Sequence, residues 1–291
     1  MADKDKNNQG AEDTGHEWDG IRELKNDPPR WWMILFKLTP VWIAGYFLLY
    51  PSIPFVGGSN SKGLLGWTSL GEYNKGRQEI DSIRAPFEKK IAAMTAKEIL
   101  NDPEMANYAV ASIKQTFGDI CAKCHGSGGQ GGHNFPILAD DDWLYGGTIE
   151  KIQETVTEGR GGIMPSFKGR FTPEEQKDLM QFLDDAQHGK TFEPGRKVFM
   201  GETKAAAECP TCHGENAKGN YDVGSANLTD AICRFDCTRE GLEHTLLHGV
   251  NDDGDPMTRK ATMPAWRSKL TDVQIKKLAV RVFLFGGGQK G

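Results

Sequence analysis

The 291-residue sequence lacks any excess of positive charge. Its 35 lysines and arginines stand against 40 aspartates and glutamates, a formal net charge of −5. Nucleic-acid binding favours strongly basic surfaces, so that class is set aside. No apolar run follows Met1, so a cleavable secretory signal is not expected there. Cysteine is scarce, six residues in all, and four of them fall in two copies of one short pattern. Long hydrophobic runs are scarcer still, with one stretch of membrane-spanning length.

The repeated pattern is Cys121-Ala122-Lys123-Cys124-His125 and Cys209-Pro210-Thr211-Cys212-His213. Two cysteines two residues apart, followed at once by histidine, are the attachment signature of a c-type haem. The chemistry requires the spacing: one short turn must offer two thiols to the vinyl edges of one porphyrin while the adjacent imidazole reaches the iron. With so few Cys and His residues, chance yields about 0.003 copies of the pattern in a chain of this length. Two copies therefore argue against a disulfide or a structural zinc. The expectation is two covalently bound haem c groups, attached at Cys121, Cys124, Cys209 and Cys212, with His125 and His213 as iron ligands.

Residues 1–30 are polar, with little apolar periodicity, and read as a mostly disordered tail. Residues 31–50, from Trp31 to Tyr50, form the apolar stretch. Twenty residues match a helix crossing a hydrocarbon core about 30 Å thick. Trp31, Trp32, Tyr46 and Tyr50 stand near its ends as aromatic anchors do, and Pro51 closes it. Pro40 is tolerated in membrane helices, and Lys37 lies near enough to one end to snorkel to the interface or to meet a partner subunit. Arg22, Lys25 and Arg30 precede the span while Lys62 follows it, so the positive-inside rule places the N-terminus in the cytoplasm. Haem attachment of this type occurs outside the cytoplasmic membrane, which gives the same orientation. Residues 51–103 read as a linker or docking segment, with Leu64, Leu65 and Trp67 resting on the membrane surface or on a partner.

Beyond Pro103 the chain reads as a tandem repeat. Each copy offers a lead-in helix (Glu104 to Phe117; Gly195 to Ala207), the haem motif, and a loop. A short helix follows (Thr148 to Thr157; Arg239 to Leu247), then a Met-Pro pair, then a final helix (Pro173 to Leu183; Asp272 to Phe283). Thr172 and Thr271 each stand eight residues after the methionine and are expected N-caps. The fold class is therefore all-α: one N-terminal transmembrane helix followed by two tandem class I cytochrome c domains, 104–188 and 189–291. Met164 and Met263 occupy equivalent places, and each is expected to serve the iron of its own repeat. Met257 and His133 are rivals without a counterpart in the other copy. A thioether raises haem potential. Iron filled on both faces has no open site for oxygen or peroxide, which favours electron transfer over catalysis at these haems.

Pro136, eleven residues after His125, resembles the proline whose carbonyl accepts a hydrogen bond from the ligating histidine in small c-type cytochromes. Ala226 stands in the comparable place in the second repeat, without proline, so the partner of His213 stays unassigned. Cys233 and Cys237 are one helical turn apart if helical, within disulfide reach. A disulfide is favoured over free thiols, or over zinc shared with His244 and His248, which otherwise read as polar-face helix residues.

Three stretches carry a family resemblance: Thr14-Gly15-His16-Glu17-Trp18-Asp19-Gly20-Ile21, Pro29-Arg30-Trp31-Trp32 opening the span, and Ala139-Asp140-Asp141-Asp142-Trp143-Leu144-Tyr145-Gly146-Gly147. With the two haem motifs, the chain resembles the dihaem subunit (subunit III, CcoP/FixP type) of cbb3-type cytochrome c oxidases over nearly its whole length. Residues 231–262 depart from the common pattern. The resemblance implies a single-pass protein of the bacterial inner membrane, with both haem domains periplasmic. It would relay electrons from a soluble cytochrome c donor, through a monohaem cytochrome c subunit, to the haem–copper catalytic subunit that holds the oxygen site. The complex would be the enzyme. Membrane lipid surrounds the span, and no nucleic-acid partner is expected. The alternative is a free-standing membrane-anchored dihaem cytochrome that shuttles electrons to another reductase.

Overall fold

The structure is a computed structural model that describes residues 13–25, 27–52, 62–132, 134–230, 232, 234–236 and 238–289. The expectations for His133 and for the Cys233–Cys237 disulfide lie outside the described residues. The chain divides into two compact units between Ile83 and Arg84, and each is taken by itself.

Over residues 13–24 the first unit departs from the reading of a mostly disordered tail. Strands β1 (Asp13–Trp18) and β2 (Ile21–Leu24) pair antiparallel, with Glu17 opposite Arg22 and Trp18 opposite Ile21. Asp19 and Gly20 turn the chain with φ of 49° and 84°, both positive as a two-residue type I′ hairpin loop requires. Helix α1 (Arg30–Leu49) has no buried residue, and it is the one helix long and apolar enough to cross a membrane among the described residues. Pro40 sits inside it. One residue earlier, the Thr39 hydroxyl donates to the Leu35 carbonyl at 3.0 Å. Leu64 and Leu65 donate their N–H groups to the carbonyls of Leu48 and Leu49 at 2.9 and 3.1 Å, which satisfies acceptors that a helix end leaves orphaned. Trp67 packs edge-on against Tyr50 at 5.6 Å.

Helix α2 (Ser69–Ala93) begins well inside the segment expected to be a linker and runs through Pro86. In the second unit come α3 (Ala96–Asn101), α4 (Pro103–Thr116), a π-helical turn at Phe117–Cys121, and α5 (Ala122–His125). They are followed by α6 (Ile149–Glu158), α7 (Pro173–Gln187), α8 (Glu193–Phe199), α9 (Pro210–His213), α10 (Arg239–His248) and α11 (Asp272–Phe283). Thr172 and Thr271 do cap α7 and α11, each within a reciprocal capping box with Glu175 or Gln274, worth about 1 kcal/mol apiece. The second lead-in helix is shorter than expected. It ends at Phe199, and Gly201 follows with φ of 76°, a left-handed residue that helices commonly use to stop.

The packing does not divide at residues 188 and 189. One core joins Met105, Ala109, Ile113 and Phe117 of the first lead-in to Ile149, Ile152 and Val156 of α6, and to Ile275, Leu278, Ala279 and Val282 of the last helix. Ala109 and Ala279 are wholly buried, and small side chains let α4 and α11 approach closely. Phe285 packs edge-on against Phe117 at 5.2 Å, and the Trp143 indole N–H donates to the Gly287 carbonyl at 2.7 Å. Lys277 of α11 reaches Glu88 at 2.8 Å. The other core joins Leu179, Met180 and Phe182 of α7 to Val198 and Phe199 of α8 and to Leu246 of α10. Module A is thus discontinuous, and module B, running roughly from Met164 to Val250, is inserted into it. Burying a side chain as large as Phe117 or Leu278 stabilises such a core by about 1.5–3 kcal/mol.

Candidate haem sites

Both motifs occupy a tight helical turn at the edge of a core. Cys121 and Cys209 are half-buried, while Cys124 and Cys212 are exposed. Burial pushes the Cys121 and Cys209 thiols up to about 11, so neither is a ready thiolate for zinc. Among the described residues no group of three or more His, Cys, Asp or Glu side chains is arranged to hold a metal ion by itself.

His125 is buried, and its Nδ1 lies 3.0 Å from the Pro136 carbonyl. His213 has the same arrangement, with Nδ1 2.9 Å from the Ala226 carbonyl. A carbonyl only accepts, so Nδ1 carries the proton in both rings and donates it. Burial holds both imidazoles below the usual histidine range, opposed by these hydrogen bonds. Each ring is therefore neutral near pH 7, with the Nε2 lone pair free for a metal. The partner of His213, unassigned from sequence, is thus a main-chain carbonyl, which any residue supplies.

The two loops that place these carbonyls follow one path and then diverge. Gly131 N–H donates to the His125 carbonyl at 2.7 Å, and Gly219 N–H to that of His213 at 2.9 Å. Leu138 N–H closes on the Gly129 carbonyl and Leu228 N–H on that of Ala217, at 2.6 and 2.8 Å.

The methionines pack otherwise than the expected pairing would have them. Met263 packs against the core that carries Cys121, Ala122 and Leu138, and Met164 against the core that carries Cys209 and Leu228. Each methionine thus packs against the core that carries the motif of the other repeat. The reason lies where the chain crosses between modules. Met164 N–H donates to the Val250 carbonyl at 2.9 Å and Val250 N–H returns to Met164 at 2.8 Å. In the mirror arrangement, Arg160 N–H donates to Met263 at 2.9 Å and Met263 N–H to Arg160 at 2.8 Å. Phe167 to Leu246 and Trp266 to Val156 extend the two ladders, at 3.1 and 3.2 Å. The second residue beyond each short helix is thereby paired with the methionine of the other repeat, a pseudo-twofold arrangement. Gly159 and Gly249 make it possible. Each has φ near +70°, and a Cβ there would strike the carbonyl oxygen of Met263 or of Met164 respectively.

Met257 is exposed. His248 is not a simple polar-face residue: its Nδ1 meets Asp255 at 3.0 Å, and both are largely buried. Sequence reasoning also missed Ser166, Asn251 and Asp252, which join the two methionine segments. The available signal was length, because five positions separate Gly159 from Met164 and fourteen separate Gly249 from Met263.

Two histidines anchored by carbonyls behind Cys-X-X-Cys turns, each in a helical module closed by a Met-Pro loop, define tandem c-type cytochrome modules. The comparisons agree and go further. Residues 10–57 match the N-terminal domain of cytochrome oxidase-cbb3, FixP, and residues 108–183 and 199–280 match cbb3-type cytochrome c oxidase subunit III. The cbb3-type cytochrome c oxidase subunit FixP of Azorhizobium caulinodans is 39% identical, covering 96% of this chain and 94% of the relative. That of Sinorhizobium medicae is 37% identical over 99% and 100%. The subunit CcoP of an Azospirillum strain is 35% identical over 96% and 97%. The chain belongs to the FixP/CcoP family, subunit III of cbb3-type cytochrome c oxidases.

Proposed function

We propose that this chain is the electron-input subunit of a cbb3-type haem–copper oxidase and carries two haem c groups. In this reading one haem is attached at Cys121 and Cys124 and held by His125 and Met263. The other is attached at Cys209 and Cys212 and held by His213 and Met164. When bound, each haem supplies a one-electron couple. The residues do the rest. The Pro136 and Ala226 carbonyls fix the histidine tautomer and orient the rings, and a thioether opposite histidine raises the potential. The apolar cores around Phe117 and Phe199 exclude water. With Met164 and Met263 held as ligands, the iron would offer no open site to oxygen, so the modules would relay electrons while oxygen is reduced on another chain.

Helix α1 anchors the protein in the bacterial inner membrane, with the N-terminus cytoplasmic and both modules periplasmic; the charges of Arg22, Lys25 and Arg30 support that orientation. The partners are a soluble cytochrome c donor, the monohaem subunit and the haem–copper subunit. The observation that carries the proposal is the joint match of the N-terminal segment and of both modules to one oxidase subunit. Purification in mild detergent tests it. The chain should co-migrate with a haem–copper subunit and yield two haem c per polypeptide. A chain that always migrates alone would be the free-standing cytochrome instead, and one haem per chain would defeat the dihaem reading.

A further inference from the structure

The nine-residue excess between Gly249 and Met263, relative to the first repeat, folds into an ordered loop with one residue at its centre. The Asn251 carboxamide nitrogen donates to the Gly162 carbonyl at 2.8 Å and to the Ala261 carbonyl at 2.9 Å. Its oxygen accepts from Ala261 N–H at 2.9 Å. Gly162 is two residues before Met164, and Ala261 is two residues before Met263. One amide therefore ties together the segments that deliver both methionines, where the pseudo-twofold arrangement brings them side by side. The position equivalent to Asn251 in the first repeat is Gly161, so no second amide reciprocates.

The loop is built to hold that side chain still. Asn251 has φ of 53°, a left-handed conformation that asparagine tolerates better than most residues. Its N–H donates to Arg259 at 2.8 Å, and Asp252 N–H donates to the Thr258 hydroxyl at 3.0 Å. Asp252 also accepts from Ser166 N–H at 2.7 Å. That contact grips the far side of Met164 only, since Ser166 is two residues beyond it.

We propose that Asn251 is a positioning residue shared by both iron sites, holding the approaches to Met164 and Met263 in one hydrogen-bonded unit. The inference rests on the ligand assignment proposed above. It means that the two haems are tuned through a common side chain, while Asp252 acts on one haem alone.

The test uses the full-length chain carrying its haems in mild detergent. The readouts are the thioether-to-ferric-iron charge-transfer band and the separate reduction potentials of the two haems. Asn251→Gly suits the positive φ and removes only the amide; Asn251→Asp turns a carboxylate toward two carbonyls. Both should weaken the band and lower the potential at both haems, with the aspartate variant affected at least as much. Asp252→Asn should move only the haem served by Met164. Should Asn251→Gly leave either haem unchanged in band and potential, the shared role is wrong. A wild-type protein without a thioether band would instead overturn the ligand assignment itself, and this inference with it.

Discussion

The two cytochrome modules repeat the same local moves on different topologies. Module B is closed by α7 and α8, neighbours in sequence, whereas module A is closed by α4 and α11, whose first residues, Pro103 and Asp272, lie far apart along the chain. The hydrogen bonds that seat His125 and His213 are nevertheless nearly superposable in kind. Local sequence therefore dictates how each histidine is held, but not which final helix completes its core. The crossing ladders at Met164 and Met263 settle the latter, and they do so symmetrically.

That comparison can be broken at several points. The largest effect is expected from Phe117→Ala, since Phe117 is 1% exposed between α4 and Phe285. Losing it should cost about 3–5 kcal/mol, and chemical denaturation should show module A weakened while module B, continuous in sequence, keeps its own transition. Next come Gly159→Ala and Gly249→Ala, which add a side chain at positive φ against a methionine carbonyl. Each should cost about 1–3 kcal/mol. Potentiometry should find the haem at Cys121 and Cys124 disturbed by Gly159→Ala and the other haem by Gly249→Ala.

Acid should also separate the modules. The N–H groups of Ser166 and Gly254 hold the Asp252 carboxylate below its ordinary range. Its ionised form therefore favours the native loop, fully so above the unfolded value of about 3.9, and this support fades as the pH falls through the lower folded value. An acid titration followed by the charge-transfer band should show the haem served by Met164 lose its thioether at the higher pH. The smallest effect is expected from Pro136→Ala. The main-chain carbonyl is the acceptor, as at Ala226, so stability should change by less than about 1 kcal/mol and the potential should not move.

Much of this was legible in the residues. The span, the two motifs, the helices ending in Phe283 and the caps at Thr172 and Thr271 all rest on local chemistry, and local chemistry is what a sequence displays. The hairpin at 13–24 was also displayed, in Asp19-Gly20 between Trp18 and Ile21, but the polar composition around it spoke for disorder. Which core each methionine packs against was not legible. Both Met-Pro pairs occupy equivalent places in their repeats, and their destination depends on backbone pairing between Arg160 and Met263 and between Met164 and Val250. Asn251 was hidden for a related reason: its meaning comes from Gly162 and Ala261, which only the fold brings together.

The exchange of methionines between repeats is the central claim, and the potentials of the two haems in a Met263→His chain test it most directly. Histidine in place of the thioether lowers a haem's potential. The haem attached at Cys121 and Cys124 should drop while the haem at Cys209 and Cys212 stays where it was. A drop confined to the haem at Cys209 and Cys212 would contradict it and return each methionine to its own repeat.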